Sequence, residues 1–230
     1  MTIGIIGYGR FGKLLHKYLK KKHRVKIYKK ESNKNSLKQC DLVILAVPIN
    51  KLEEVALEIR NKINSRAIII DVCSVKILPA KILEKYFKNN ILATHPLFGP
   101  DSAKKSCQGH KMVFCKLKIS NVDFKRVKKI FTDLGIIDIN CTPQEHDAMM
   151  ARSQALVHFL GRSLKNIKPQ KIATPDYKNL LTMMDKVWHD TWELFFDMQI
   201  LNPYAKRERK KFIKNILTVE RIIEQRERLT

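Results

Sequence analysis

Nowhere in this sequence does an apolar run approach the roughly 18 residues that a bilayer-spanning helix needs, and the first residues enter a strand pattern directly, without a basic segment and signal core. Both absences predict a cytoplasmic protein with no membrane partner. The five cysteines, Cys40, Cys73, Cys107, Cys115 and Cys141, form no Cys-x-x-Cys pair and are odd in number, which argues against a disulfide framework and against a zinc site. Internal repeats and low-complexity linkers are lacking too. Acidic residues are scarce: 22 Asp and Glu stand against 45 Lys and Arg, a formal net charge of +23. Such an excess suggests a nucleic-acid ligand. The basic residues are mainly lysines spread along the whole chain, however, with short clusters only at Lys20 to Lys22, Lys29 and Lys30, and Lys206 to Lys211. Solvated lysine faces account for that spread, and no nucleic-acid partner is expected. A positive field also speeds the approach of anionic cofactors and substrates.

What is present is a chain of 230 residues, 44% of them hydrophobic, long and apolar enough for one good core or two modest ones. Met1 to Gly7 is a short apolar run of the kind expected for a strand buried on both faces. A glycine-rich turn follows, then Phe11, Leu14, Leu15 and Tyr18 at helical spacing, then a strand at Arg24 to Tyr28. The alternation continues: strand Leu42 to Val47, helix Asn50 to Lys62, strand Ala67 to Asp71, helix Pro79 to Phe87, strand Ile91 to Thr94, strand Lys111 to Cys115, helix Val122 to Leu134, strand Gly135 to Ile139. This order calls for a mainly parallel sheet covered on both faces, an α/β doubly wound domain.

The strand signal stops after Asn140. Thr142-Pro143-Gln144-Glu145 fits a capping box with proline at the first helical position, predicting a long helix to about Asn166. A second helix is expected to carry Leu181, Met184, Trp188, Trp192 and Phe195, and a third Phe212, Ile216, Val219 and Ile223. The predicted organisation is residues 1–141 as the α/β domain and 142–230 as a smaller all-helical one. The aromatic stripe reads either as core or as a face that packs on a second subunit, giving a homodimer through the C-terminal helices.

Gly7-Tyr8-Gly9-Arg10-Phe11-Gly12 is a G-x-G-x-x-G between a strand and a helix, the context that the dinucleotide fingerprint of a Rossmann domain requires. Gly7 permits the tight turn, Gly9 lets a pyrophosphate approach the backbone, and Gly12 allows close helix packing. Gly7, Gly9, Arg10, Phe11 and Gly12 are therefore expected cofactor contacts, joined by Val47 and Pro48 at the end of the third strand. Where an NAD-specific domain carries an acid after its second strand, this chain has Lys29 and Lys30, which predicts a preference for NADP over NAD. A two-residue shift of the turn would instead bring Glu31 to the ribose.

Two further strand ends reach the same sheet edge, Asp71 to Lys76 and Ala93 to Pro100. His95 stands out there, at a strand end in a Pro/Gly loop beside the expected crevice.

The segment Thr94-His95-Pro96-Leu97-Phe98-Gly99-Pro100-Asp101-Ser102, together with Ser74-Val75-Lys76, Glu145-His146-Asp147 and Gln154-Ala155-Leu156-Val157-His158-Phe159, resembles the prephenate and arogenate dehydrogenases of tyrosine biosynthesis, a branch of aromatic amino acid biosynthesis. The resemblance covers nearly the whole chain. It implies an NAD(P)-dependent oxidoreductase that oxidatively decarboxylates a cyclohexadienol, prephenate or arogenate, with hydride transfer to the nicotinamide. By the same resemblance His95 is the general base on the ring hydroxyl, Ser74 orients it, and His158, with Gln154 one turn before it, meets the substrate. An imidazole with its ordinary pKa of about 6.5 suits that role, and the acid limb of the pH profile is expected near that value. The substrate's carboxylates call for a bidentate arginine, Arg209 first and Arg152 second. His146 and Asp147 read as helix-capping residues. Another NAD(P)-dependent reductase, of imines or 3-hydroxy acids, is the alternative reading.

Overall fold

The computed structural model describes residues 1–28, 37–88 and 90–230. It divides into two compact units, Met1–His146 and Asp147–Thr230.

The first unit is built on a seven-stranded sheet: β1 (Thr2–Ile6), β2 (Arg24–Tyr28), β3 (Leu42–Leu45), β4 (Ile68–Asp71), β5 (Ile91–Pro96), β6 (Lys111–Lys116) and β7 (Ile137–Asn140). Its order is β2-β1-β3-β4-β5-β6-β7, with every pair parallel except β5 and β6. The central strands are apolar because both faces are covered: Ile3 and Ile5 of β1 stand in register with Leu42 and Ile44 of β3, which stand in register with Ile68 and Ile70 of β4, and all six are buried. Each such side chain contributes roughly 1.5–3 kcal/mol by leaving water. The edge strands β2 and β7 are half-exposed and carry charges, Arg24 and Lys26 on one and Asp138 on the other. Such edges discourage pairing with other chains. Helices α1 (Arg10–Leu19), α2 (Ile49–Ile59), α3 (Ile77–Tyr86) and α4 (Asn121–Thr132) join the strands.

The chain crosses from β2 to β3 on the other side of β1, so the strand order reverses between β1 and β3. Doubly wound sheets bind ligands outside the carboxyl ends of the strands at this switch point. The sequence places the glycine turn there.

Two boundary differences bear on function. Strand β5 runs two residues further than its hydrophobic run, to Pro96, because the antiparallel β6 pairs with it: His95 stands opposite Val113 and Pro96 opposite Met112. His95 is thus a strand residue and not a loop residue. The long helix expected from residue 142 to 166 is two helices, α5 (Pro143–Arg152) and α6 (Gln154–Ser163). Its start is as read, since Glu145 N donates to Thr142 Oγ1 at 3.2 Å and Thr142 N donates to Glu145 Oε2 at 2.8 Å. The break falls at Ser153, whose hydroxyl donates back to the Met149 carbonyl at 2.8 Å, a local bond that competes with the helical ladder.

In the second unit the stripe expected on one helix is likewise split. Helix α7 (Pro175–Trp188) stops, and Thr191 caps α8 (Trp192–Phe196) by accepting from Leu194 N at 3.2 Å. A π-helical turn (Asp197–Leu201) leads to the long α9 (Ala205–Glu227). Side chains tie these pieces together: Trp188 Nε1 donates to the Gly161 carbonyl at 2.9 Å, Gln199 Nε2 to the Ala155 carbonyl at 2.7 Å, and Asn202 Nδ2 to the Asp147 carbonyl at 2.8 Å. Among the described residues no helix is long and apolar enough to cross a membrane.

Candidate active site

The turn after β1 has the geometry its glycines demand. Gly7 adopts φ +96°, and a Cβ there would lie 2.2 Å from the Ala46 carbonyl oxygen at the end of β3. A Cβ on Gly12 would lie 2.0 Å from the Gly7 carbonyl oxygen, so the first turn of α1 is pressed against the loop. Gly9 is different: its absent Cβ would meet nothing within 4 Å, leaving an open approach to the backbone at the start of α1. The N-cap is this glycine and the first turn holds no acid, so backbone N–H groups and the positive end of the helix dipole are left for an anion. Arg10 pairs with Asp101, with Nη2 at 2.6 and 2.8 Å from its two oxygens, on the surface. Phe11 packs on Phe98, with ring centroids 5.9 Å apart. Val47 is half-buried and the exposed Pro48 caps α2. Lys29 and Lys30 lie outside the described residues.

A buried polar cluster sits at the carboxyl ends of β4 and β5. Asp71 and Lys76 are both fully buried and form an ion pair. The Asp71 carboxylate also accepts from Cys73 N at 2.9 Å and Thr94 N at 3.2 Å, while Lys76 Nζ donates to the Thr94 carbonyl at 2.5 Å. Thr94 Oγ1 completes the clamp by donating to the Asp71 carbonyl at 2.5 Å. Two buried charges persist only when paired and hydrogen-bonded, as these are. The consequence is a fixed backbone immediately before His95.

His95 is itself buried, and its Nδ1 lies 2.8 Å from His146 Nε2, with the rings inclined at 70°. His146 is not a cap, as the sequence suggested. Thr142 and Glu145 fill that role, and the His146 side chain turns to the base candidate. Burial, the neighbouring His146 and the Lys76 ammonium hold the His95 pKa well below 6.5. The expectation of a titration near 6.5 is thereby corrected for the unliganded protein: His95 is neutral well into the acid range. Ser74, also buried, has a hydroxyl with no hydrogen-bond partner among the described residues.

In the helical unit, α6 carries Gln154 and His158 one turn apart. His158 is buried, its Nδ1 has no hydrogen-bond partner among the described residues, and its Nε2 is 3.7 Å from Asp190 Oδ2. Burial first, then the charge of Arg162, lowers its pKa to about 4. Arg162 stacks on Trp192, 4.3 Å from the ring centroid, and donates to the Asp190 carbonyl at 2.5 Å. Gln154 is half-buried with Oε1 unpartnered among the described residues. Arg209, half-buried on α9, donates to Gln199 Oε1 at 2.7 Å and lies 6.0 Å from the ring centroid of Phe159, the neighbour of His158. Arg152 is largely exposed, 3.7 Å from Glu208. Of the two arginines, Arg209 has the ordered surroundings.

Sequence reading gave no role to Asp71, Lys76 and Asp190, and misassigned His146. For Asp71 and Lys76 a signal existed, an acid ending an apolar strand with a lysine five residues on.

Residues 15–137 match the family model described as "Prephenate dehydrogenase, nucleotide-binding domain". This chain belongs to the prephenate dehydrogenase family. Residues 162–230 match a model described as "TYRAAT1-like, C-terminal domain". Among curated relatives the chain is 28% identical to a probable arogenate/prephenate dehydrogenase of Methanocaldococcus jannaschii, covering 99% of this chain and 58% of that protein. It is also 28% identical to the chloroplastic arogenate dehydrogenase 2 of Arabidopsis thaliana, covering 89% and 65%. The chain thus spans less than two thirds of the length of these relatives. Among solved structures, prephenate dehydrogenase from A. aeolicus in complex with hydroxyphenyl propionate and NAD+ superposes with a TM-score of 0.76 at 18% identity, over 98% of this chain and 91% of that one. Synechocystis arogenate dehydrogenase does so with 0.73 at 17%, over 99% and 93%. Both share the fold.

Proposed function

We propose that this member of the prephenate dehydrogenase family is an NAD(P)-dependent prephenate or arogenate dehydrogenase, with residues 1–141 binding the dinucleotide and residues 142–230 serving substrate binding and dimerisation. The observation that carries the reading is His95: buried, neutral, held by a backbone clamp and a second histidine, at the same sheet edge as a glycine turn open to an anion. The open approach at Gly9 and the uncapped start of α1 fit a dinucleotide pyrophosphate, which Gly7, Gly9, Arg10, Phe11 and Gly12 would border together with Val47 and Pro48. The bound nicotinamide would supply the hydride acceptor.

His95 Nε2 takes the proton of the substrate's ring hydroxyl as the carbon bearing it gives up hydride. The bond from the ring to the carboxylate breaks, its electron pair stays in the ring, and carbon dioxide leaves as the ring becomes aromatic. The ring oxygen takes the proton back from His95 as the phenol forms, so that one hydride is transferred and one carbon dioxide released with no net loss of a proton. Ser74, with its unpartnered hydroxyl, is proposed to orient the reacting hydroxyl and His95. His158, Gln154 and Arg209 are proposed to hold the substrate's polar groups, with Arg152 the lesser candidate. Lys29 and Lys30 support a preference for NADP. Exposed apolar side chains, among them Trp192 at 50%, Phe196 at 48% and Ile222 at 60%, support a homodimer through the C-terminal helices.

The test is to incubate the protein with prephenate or arogenate and with each nicotinamide cofactor, following the absorbance of the reduced form. Turnover of either substrate is expected. None with both overturns the reading.

A further inference from the structure

We infer that His146 is a positioning residue for the base: its Nε2 accepts the Nδ1–H of His95, which leaves the lone pair of His95 on Nε2, the atom proposed to take the hydroxyl proton. The inference rests on the reading of His95 as that base.

Two neutral imidazoles at 2.8 Å share a hydrogen bond only if one nitrogen carries the proton and the other does not. Both rings are buried, His146 completely, so water does not serve as a substitute partner for His95 Nδ1. Of the two arrangements, His95 donating from Nδ1 leaves Nε2 basic. The reverse would protonate Nε2 and leave a group able to donate to a hydroxyl but not to accept its proton. A third arrangement, with His95 already charged, is opposed by its burial and by the nearby Lys76 ammonium.

The division of labour is then clear. Asp71, Lys76 and Thr94 fix the backbone that carries His95, and His146 fixes the rotation and tautomer of its ring. A base needs both, because a neutral histidine presents its lone pair from only one nitrogen. After proton transfer His95 is an imidazolium, and its Nδ1–H already points at an acceptor, so the new charge is shared with His146 instead of being stranded. Triads of this kind use a carboxylate at that place. A neutral histidine at that place adds no buried negative charge.

Long-range 1H–15N correlation spectra of the free protein, labelled at histidine, read the tautomers with no substrate present. The expected result is His95 protonated on Nδ1 and bare on Nε2, with His146 protonated on Nδ1 and bare on Nε2. A His95 protonated on Nε2 overturns the inference. In kinetics, His146→Leu removes the acceptor and should lower kcat by about tenfold or more while KM for substrate and cofactor stays within about threefold. His146→Gln supplies an oxygen near the position of Nε2 and should recover most of that loss. A His146→Leu enzyme with kcat within about twofold of wild type and the same His95 tautomer reduces His146 to packing. Should His146→Leu fail to fold, the wild-type spectrum still decides. Absence of turnover with both substrates defeats the proposed function, whereas the spectra judge the histidine pair independently.

Discussion

Two of the buried histidines, His95 and His158, are held in opposite ways. His95, in the sheet unit, has a bonded Nδ1 and directly follows Thr94, whose N–H and carbonyl are held by Asp71 and Lys76. His158, in the helical unit, has an unpartnered Nδ1 among the described residues, and its nearest carboxylate, at 3.7 Å, is too far for a hydrogen bond. A buried polar atom without a partner costs about 1–3 kcal/mol. The difference separates a group prepared in advance from one whose surroundings a ligand's hydrogen bond would complete. In the proposed reaction that is the difference between a base and a substrate-binding residue.

The comparison breaks most sharply at His95 itself. His95→Asn should lower kcat by ~10²- to 10⁴-fold while the dissociation constant for the dinucleotide, read by fluorescence titration, stays within about twofold. A fall of less than about tenfold would remove His95 from the role of base. Next comes the clamp. Lys76→Met leaves the Asp71 carboxylate buried without its ammonium, and breaking a buried pair in this way costs about 3–5 kcal/mol. The urea midpoint should drop accordingly; an unchanged midpoint would show that water or another cation reaches Asp71.

The third test uses pH. The pKa of His158 falls from its ordinary 6.5 to about 4 in the folded chain. Above pH 6.5 the ring is neutral in both folded and unfolded states, so its titration contributes nothing to the stability. As pH falls toward 4 the unfolded chain takes up the proton and the folded one does not, so stability is lost across that window, by up to about 3 kcal/mol for a shift of this size. His158→Gln should flatten this part of the stability curve. An equally steep fall in the variant would assign the loss to other groups, His95 among them, since its pKa is displaced in the same direction.

What the sequence reveals of this contrast is uneven, for physical reasons. Strands and the glycine turn are legible because periodicity and glycine chemistry are local. The capping box at Thr142 is legible for the same reason. His95 is found, but as a loop residue, because its place on β5 depends on pairing with β6, some 20 residues away. The breaks at Ser153 and Thr191 leave the helical spacing of the apolar residues intact, so periodicity passes over them. His146 is misread because its backbone is local and its partner is not: a first-turn position suggests capping, and the bond to His95 spans 51 residues.

The smallest effect concerns the cofactor, where the legible turn meets the end of β2. Gly7, Gly9 and Gly12 serve any dinucleotide, since the pyrophosphate is common to NAD and NADP. Discrimination belongs to whatever meets the ribose 2′ position, which in this fold follows the second strand. The strand ends at Tyr28, and Lys29 stands next, where an acid would accept hydrogen bonds from a 2′-hydroxyl and repel a 2′-phosphate. A lysine reverses that preference, as a point charge beside a dianion. Charge-assisted hydrogen bonds of this kind contribute about 1.5–3 kcal/mol when well formed, and solvent at a surface site lowers the figure. Lys29→Asp is therefore expected to reduce the ratio of kcat/KM for NADP over that for NAD by about three- to tenfold, and Lys30→Asp by less. The ratio in the wild type should favour NADP. A wild type that prefers NAD, or a Lys29→Asp variant with an unchanged ratio, would mean that Glu31 meets the ribose instead, which a gain in NADP turnover by Glu31→Gln would then reveal.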